Sequence, residues 1–193
     1  MPGFVSPNGD GHTDITTLTM GSDEPLRGTA RLLDAAGHTV RLWTFTAATA
    51  RSWAFDGRDA AGRTLPDGRY TLRLGGYDGA GNPSVAQAIV GVDRTIRTVT
   101  WSSPSFRPAA GGKDRVTVAL RRPANVSVSV YLGTTLVRRM SFRAAVAGTY
   151  GWTWDGRTST GAVAGPGTYK AVVAATSWVG WSSYTKSVVV RAK

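Results

Sequence analysis

Asn8, Asp10 and Asp14 stand at alternate and then wider spacing, with Gly9 and Gly11 between them. Oxygen-bearing side chains at alternate positions, a glycine for the sharp turn and a further carboxylate are what a calcium loop uses to surround a hard cation. The ligand set would be the side chains of Asn8, Asp10 and Asp14 with the main-chain carbonyl of His12. Two positions depart from the full pattern. Ser6 stands where an Asp would open the loop, and Thr17 where a distal Glu would close it. Pro7-Asn8-Gly9-Asp10-Gly11 is also a good turn with an Asx cap, so a weak calcium site and a structural turn are both open readings.

A second group is basic and aromatic. Arg121, Arg122, Arg138, Arg139 and Arg143 are followed by Trp178 and Trp181 in the run Ser177–Ser182. Concentrated positive charge attracts an anionic partner, or simply keeps a protein soluble. An indole on a loop is a platform for a sugar ring or a partner protein. Large apolar residues also find cover, so these tryptophans could instead fold back onto the body of the domain.

Catalytic chemistry is not expected. The only histidines, His12 and His38, fall in turns, and no Gly-x-Ser-x-Gly or His-Glu-x-x-His occurs. Asp56 and Asp59 sit in turn sequences, where Asp serves as a cap. There is no phosphate loop and no dinucleotide fingerprint. Cysteine is absent, which removes disulfides and thiolate metal sites alike.

The elements that must carry these residues repeat. Trp53-Ala54-Phe55-Asp56-Gly57-Arg58 recurs as Trp152-Thr153-Trp154-Asp155-Gly156-Arg157, and Gly62, Gly68 and Tyr70 recur as Gly161, Gly167 and Tyr169, all 99 positions on. The chain is therefore two copies of one unit of about Ig-domain size. Aromatic residues two apart in a strand share a face and load a core. Asp-Gly then ends the strand, since Asp caps following amides and Gly takes positive φ. Short strands are expected at Ile15–Met20, Thr29–Leu33, Thr39–Phe45, Arg51–Phe55, Tyr70–Leu74 and Val85–Val92, with a turn at Ser22-Asp23-Glu24-Pro25. In the second copy Val116, Val118 and Leu120, then Val126, Val128 and Val130, alternate as strands, and Leu136–Phe142 follows. Trp101–Pro108 stands where Phe4–Pro7 stood. The fold class is all-β, with two tandem Ig-like (fibronectin III-like) β-sandwiches at 1–95 and 96–193.

The pattern Trp-x-aromatic-Asp-Gly-Arg, then Gly, then Pro66-Asp67-Gly68-x-Tyr70 resembles the Ig-like domain of flagellar hook-capping proteins. Copy two has Gly165-Pro166-Gly167 at the second turn, which keeps the turn and removes a carboxylate. The resemblance implies a non-catalytic module of a secreted or surface bacterial protein, acting as spacer, adhesion or wall-targeting unit beside a covalently linked parent enzyme or surface domain. It implies an extracellular or cell-surface location. A flagellar hook-capping or scaffolding assembly protein is the alternative. No signal peptide precedes Phe4-Val5-Ser6-Pro7, so an exported protein of this kind would be represented here by a fragment, and a leaderless cytoplasmic chain is the other possibility.

Charge separates the copies. Residues 1–95 carry 9 Arg/Lys against 10 Asp/Glu, and residues 96–193 carry 14 against 2. The near-neutral copy shows that the fold does not need the basic charge, so an anionic cell-wall polymer or polysaccharide is the partner expected for copy two. Nucleic acid is not expected, because no recognition motif accompanies the charge. Asn125-Val126-Ser127 fits a glycosylation sequon but falls on a strand of a chain expected to be bacterial, and is set aside. No apolar run has the length of a membrane span.

Overall fold

The computed structural model describes residues 3–144 and 146–192. Two compact units emerge, Met1–Pro7 with Thr13–Asp93, and Asn8–His12 with Arg94–Lys193. Both are built of strands, and the Ig-like sandwich expected from the repeat is the fold of each.

In the first unit β1 (Phe4–Val5), β2 (Thr16–Leu33), β3 (Thr39–Phe55), β4 (Gly68–Tyr77) and β5 (Pro83–Val92) form one sheet in the order β1-β5-β4-β2-β3. Strands expected as pairs of short segments are continuous here. Ile15–Met20 and Thr29–Leu33 belong to one strand, β2, and Thr39–Phe45 and Arg51–Phe55 to another, β3. The expected turn at Ser22–Pro25 is instead a bulge: the register jumps between Gly21 and Leu26, and none of those four residues has a ladder partner on β3. Pro25 lacks the N–H a ladder would need, and a bulge is where a strand tolerates it. Ser22 Oγ donates to Glu24 O at 2.7 Å and holds the irregular segment. Beyond the bulge β2 and β3 change course, so Leu18 and Phe55 from one half pack against Leu32, Leu72 and Val90 from the other.

The second unit has two sheets. One runs β10 (Thr135–Ala144), β9 (Ala124–Leu132), β12 (Gly167–Thr176), β13 (Trp181–Val190), β7 (Ser105–Phe106); the other runs β11 (Gly148–Trp154), β8 (Asp114–Leu120), β6 (Ile96–Trp101). Strand β6 was not expected: the domain is bounded at 96, but the first feature the sequence marks in it is Trp101–Pro108, the counterpart of Phe4–Pro7. Its inward residues are Ile96 and Val99, three apart, because the register shifts between Ile96 and Thr98. That irregularity hides the alternation of period two.

The repeated stretch forms the same device twice. Trp154 is fully buried, with Tyr169 at 5.3 Å and Phe106 at 5.4 Å between ring centroids, and its Nε1 donates to Arg157 O at 2.9 Å. Phe55 and Tyr70 take the matching places in the first unit. Trp53 and Trp152, expected in the core as well, are half-buried and pack against its margin. After each Asp-Gly the loop is closed by Arg58 Nη1 to Gly62 O at 2.8 Å, or Arg157 Nη1 to Gly161 O at 2.7 Å. Tyr70 and Tyr169 donate their hydroxyls to Pro66 O and Gly165 O, so the turn survives the loss of Asp67 in copy two because its main-chain carbonyl is what the tyrosine uses.

Candidate functional site

The loop Asn8–His12 is organised by its own side chains. Asn8 Oδ1 accepts from Asp10 N at 3.1 Å, and Asp10 Oδ1 accepts from His12 N at 2.8 Å, two successive Asx turns. These five residues belong to the second compact unit. There Asn8 Nδ2 donates to Ser183 O at 2.6 Å, and Thr185 N donates to Asp10 Oδ2. His12 is exposed, and Asp14 is half-buried. Among the described residues no three His, Cys, Asp or Glu side chains converge where a metal ion could be held.

The arginines and tryptophans of the second unit fall into separate environments. Strand β10 lies at a sheet edge, and its inward residues Met140 and Phe142 pack on the core. By the alternation of a strand, Arg139, Ser141 and Arg143 face outward. Arg139 Nε donates to the buried Ser129 Oγ at 2.9 Å, which fixes its stem against β9 and leaves its exposed head on the surface. Arg138, beside a register shift in β10, turns away and donates Nη1 to Thr158 O at 3.1 Å. Arg122 lies over the ring of Trp178 at 5.8 Å, and Trp178 is 79% exposed. Arg121 is exposed on the connection before β9. Trp181 is half-buried and opens β13.

Register joins part of this set. Arg143 pairs with Asn125, Asn125 with Thr176, and Thr176 with Trp181, so one row crosses β10, β9, β12 and β13 from a guanidinium to an indole. The next row carries Ser141, Ser127, Ala174 and Ser183. Asn125, Ser127, Ser141, Thr176 and Trp181 line a shallow groove on this outer face. Lys170 of β12 lies on the same face, one row beyond Val172. No Asp or Glu occurs in any of the four strands. The four strands thus supply small hydroxyls, an amide, one aromatic edge and cations but no carboxylate, and the Asp10 carboxylate stands on Thr185 N of β13.

Of the residues singled out from sequence, Arg139, Arg143 and Trp181 meet here. Arg121, Arg122, Arg138 and Trp178 lie elsewhere. Sequence reasoning missed Asn125, Ser127, Ser141, Thr176 and Lys170. The signal was present: Asn125, Ser127 and Ser129 alternate with the core valines of β9, and the polar half of that alternation is the groove.

A family model described as FlgD Ig-like domain matches residues 7–80 and again residues 103–178. Among curated proteins none matches the chain. Solved structures of similar fold include dimeric latent PorU from Porphyromonas gingivalis, at 17% identity and a TM-score of 0.42, over 100% of this chain and 19% of that one. FlgD from P. aeruginosa aligns at 24% identity and a TM-score of 0.38, over 49% of this chain and 75% of that one. A Ca2+-stabilised adhesin that helps an Antarctic bacterium reach out and bind ice aligns at 18% identity and a TM-score of 0.31, over 93% of this chain and 44% of that one. The chain therefore spans less than a fifth of PorU and under half of the adhesin. No helix among the described residues is long and apolar enough to cross a membrane.

Proposed function

The chain belongs to the FlgD Ig-like domain family, with one copy in each half, and from that premise we propose a non-catalytic tandem module of a secreted or cell-surface bacterial protein. It serves as a spacer and adhesion unit beside a catalytic or anchoring domain, and its second copy holds an anionic cell-wall polymer or acidic polysaccharide.

The observation that carries this reading is the outer face of the second unit, whose four strands hold no Asp or Glu and where Arg143, Asn125, Thr176 and Trp181 share one cross-strand row. A repeating anionic glycan presents hydroxyls, carboxylates or phosphates at intervals, and the row offers a guanidinium, an amide, a hydroxyl and an indole in line. Guanidinium groups pair with such oxyanions through two parallel hydrogen bonds. The attraction is mainly electrostatic at an exposed surface, so salt should weaken it.

The test is sedimentation of the full chain with purified bacterial cell walls across a salt series. Binding is expected at low ionic strength, with release as salt rises. Arg139→Ser with Arg143→Ser should lower the bound fraction severalfold, while Arg58→Ser in the first unit should not. Absence of binding at low salt, or equal loss in both variants, would overturn the reading. A flagellar hook-capping or scaffolding role is the second reading, favoured by the family match itself. It predicts no wall binding and co-sedimentation with assembled hook protein instead.

A further inference from the structure

The first unit carries an open strand edge whose counterpart in the second unit is filled. In the second unit β8 is flanked on both sides, by β11 and by β6. Ser102 N donates to Arg115 O and Arg121 N to Thr95 O, both at 2.9 Å, so the odd-numbered residues of β8 turn their main-chain groups toward β6. Pairings Trp154–Asp114 and Trp152–Val116 correspond to Phe55–Thr16 and Trp53–Leu18 in the first unit. Thr17, Thr19 and Gly21 are therefore the counterparts of Arg115, Thr117 and Ala119. On this stretch β2 pairs with β3 alone, because its pairing with β4 begins only at Arg27. Among the described residues no strand lies along the other edge.

Cover is missing at the same place. In the second unit Ile96 and Val99 of β6 enter the core beside Val116 and Val118, and Ile96 N donates to the buried Ser182 Oγ. The parallel pairs Val5–Val92 and Phe106–Val190 align β5 with β13, which makes Ser84 the counterpart of Ser182. Ser84, Ala86 and Ala88 point to the same side as the buried Val90 and Val92, yet all three are exposed. An unpaired edge and a bare inner face thus coincide. One strand would complete both.

Gly3 shows the direction from which such a strand arrives. Its carbonyl accepts from Gly91 N at 2.8 Å, as Pro104 accepts from Val189 N, and a Cβ on Gly3 would come within 2.9 Å of Thr16 Oγ1. Polypeptide leading into Gly3 therefore meets the start of the open edge, just as β6 leads into Pro104.

We propose that Thr16–Gly21 is a docking edge for one further antiparallel strand, of β6 type, running into Gly3 in the parent polypeptide. Its main chain bonds to Thr17, Thr19 and Gly21, and its apolar side chains lie over Ala86 and Ala88. This is β-augmentation within one domain, where main-chain bonds supply affinity and alternate side chains supply specificity. It holds whichever ligand the second unit takes.

Amide hydrogen exchange followed by NMR on the full chain tests it. In the chain as it stands, the amides of Thr17, Thr19 and Gly21 should exchange rapidly, while Leu18 and Met20 are protected. A second protein has the sequence of residues 95–103 in place of Met1–Pro2, with Gly3 kept. There the same three amides should slow by about a hundredfold or more, as strand amides do when an opening event is needed. A control extension carrying Ile96→Asp and Val99→Asp should leave them fast. Protection of the three amides already in the unextended chain, or no slowing on extension, would overturn the proposal.

Discussion

Gly57 and Gly156 sit at φ 73° and 71°, in the left-handed region that only glycine enters freely. Their surroundings add a second constraint. A Cβ at Gly156 would lie 2.3 Å from Pro108 Cβ, and one at Gly57 would lie 2.9 Å from Pro7 Cγ. Gly161, at φ 88°, has the same backbone demand and open space around it. Gly161→Ala should therefore cost about 1–2 kcal/mol from conformation alone. Gly156→Ala should cost clearly more, because proline cannot swing aside. Denaturant melts of the two variants separate these terms, and equal losses would show that the clash relaxes. The turn role of both glycines was legible in the Asp-Gly pairs. The proline behind each was not, since nothing in a sequence says that residues 7 and 57, or 108 and 156, are neighbours.

Strands carry the next level. Trp154 ends edge strand β11 yet is fully buried, clamped between Phe106 and Tyr169. Trp154→Ala should cost about 3–5 kcal/mol, the range for emptying a large aromatic site. Thermal melting of the variant checks it, and a loss under about 1 kcal/mol would mean that the neighbours collapse into the space. Aromatic load two residues apart made this site readable from the sequence. The continuity of β2 and β3 was not, because a bulge at Ser22–Pro25 and a turn are built of the same residue types, and only ladder register tells them apart. Strand β6 was missed for a related reason, its bulge having broken the alternation. The groove on β9 and β10 was half legible: the alternating valines mark β9 as a strand, and what the intervening Asn125 and Ser127 present to solvent depends on which strands lie beside them.

At the scale of the chain, acid response should divide unevenly. Asp34, Asp59 and Asp78 all lie in the first unit, and each carboxyl is held below its ordinary value of 3.8. The leading causes are the His38 N–H for Asp34, the Arg63 N–H for Asp59 and the Asn82 side-chain amide for Asp78. A carboxyl whose folded value is depressed contributes stability in full above 3.8, and that contribution is lost as pH falls through the lower folded value. Residues 96–193 hold only Asp114 and Asp155 as acidic side chains. Calorimetry from pH 6 to pH 2.5 should show one transition falling steeply below about pH 4 and the other changing little. Asp59→Asn should lower the steep one at pH 6 and flatten its decline. Parallel decline of both would contradict the assignment. Finally, the short parallel pairs have a mechanical meaning. Phe4–Val5 beside the end of β5, and Ser105–Phe106 beside the end of β13, join a strand near the entry of each unit to the strand at its exit. Tension applied at Gly3 and Asp93 therefore loads Gly91 N–Gly3 O with Asp93 N–Val5 O together in shear, and in the second unit Val189 N–Pro104 O and Arg191 N–Phe106 O are loaded the same way once the pull has passed β6. Within each pair the two bonds cannot unzip one after another, so the parallel arrangement resists a pull along its strands better than an antiparallel zipper of the same two bonds.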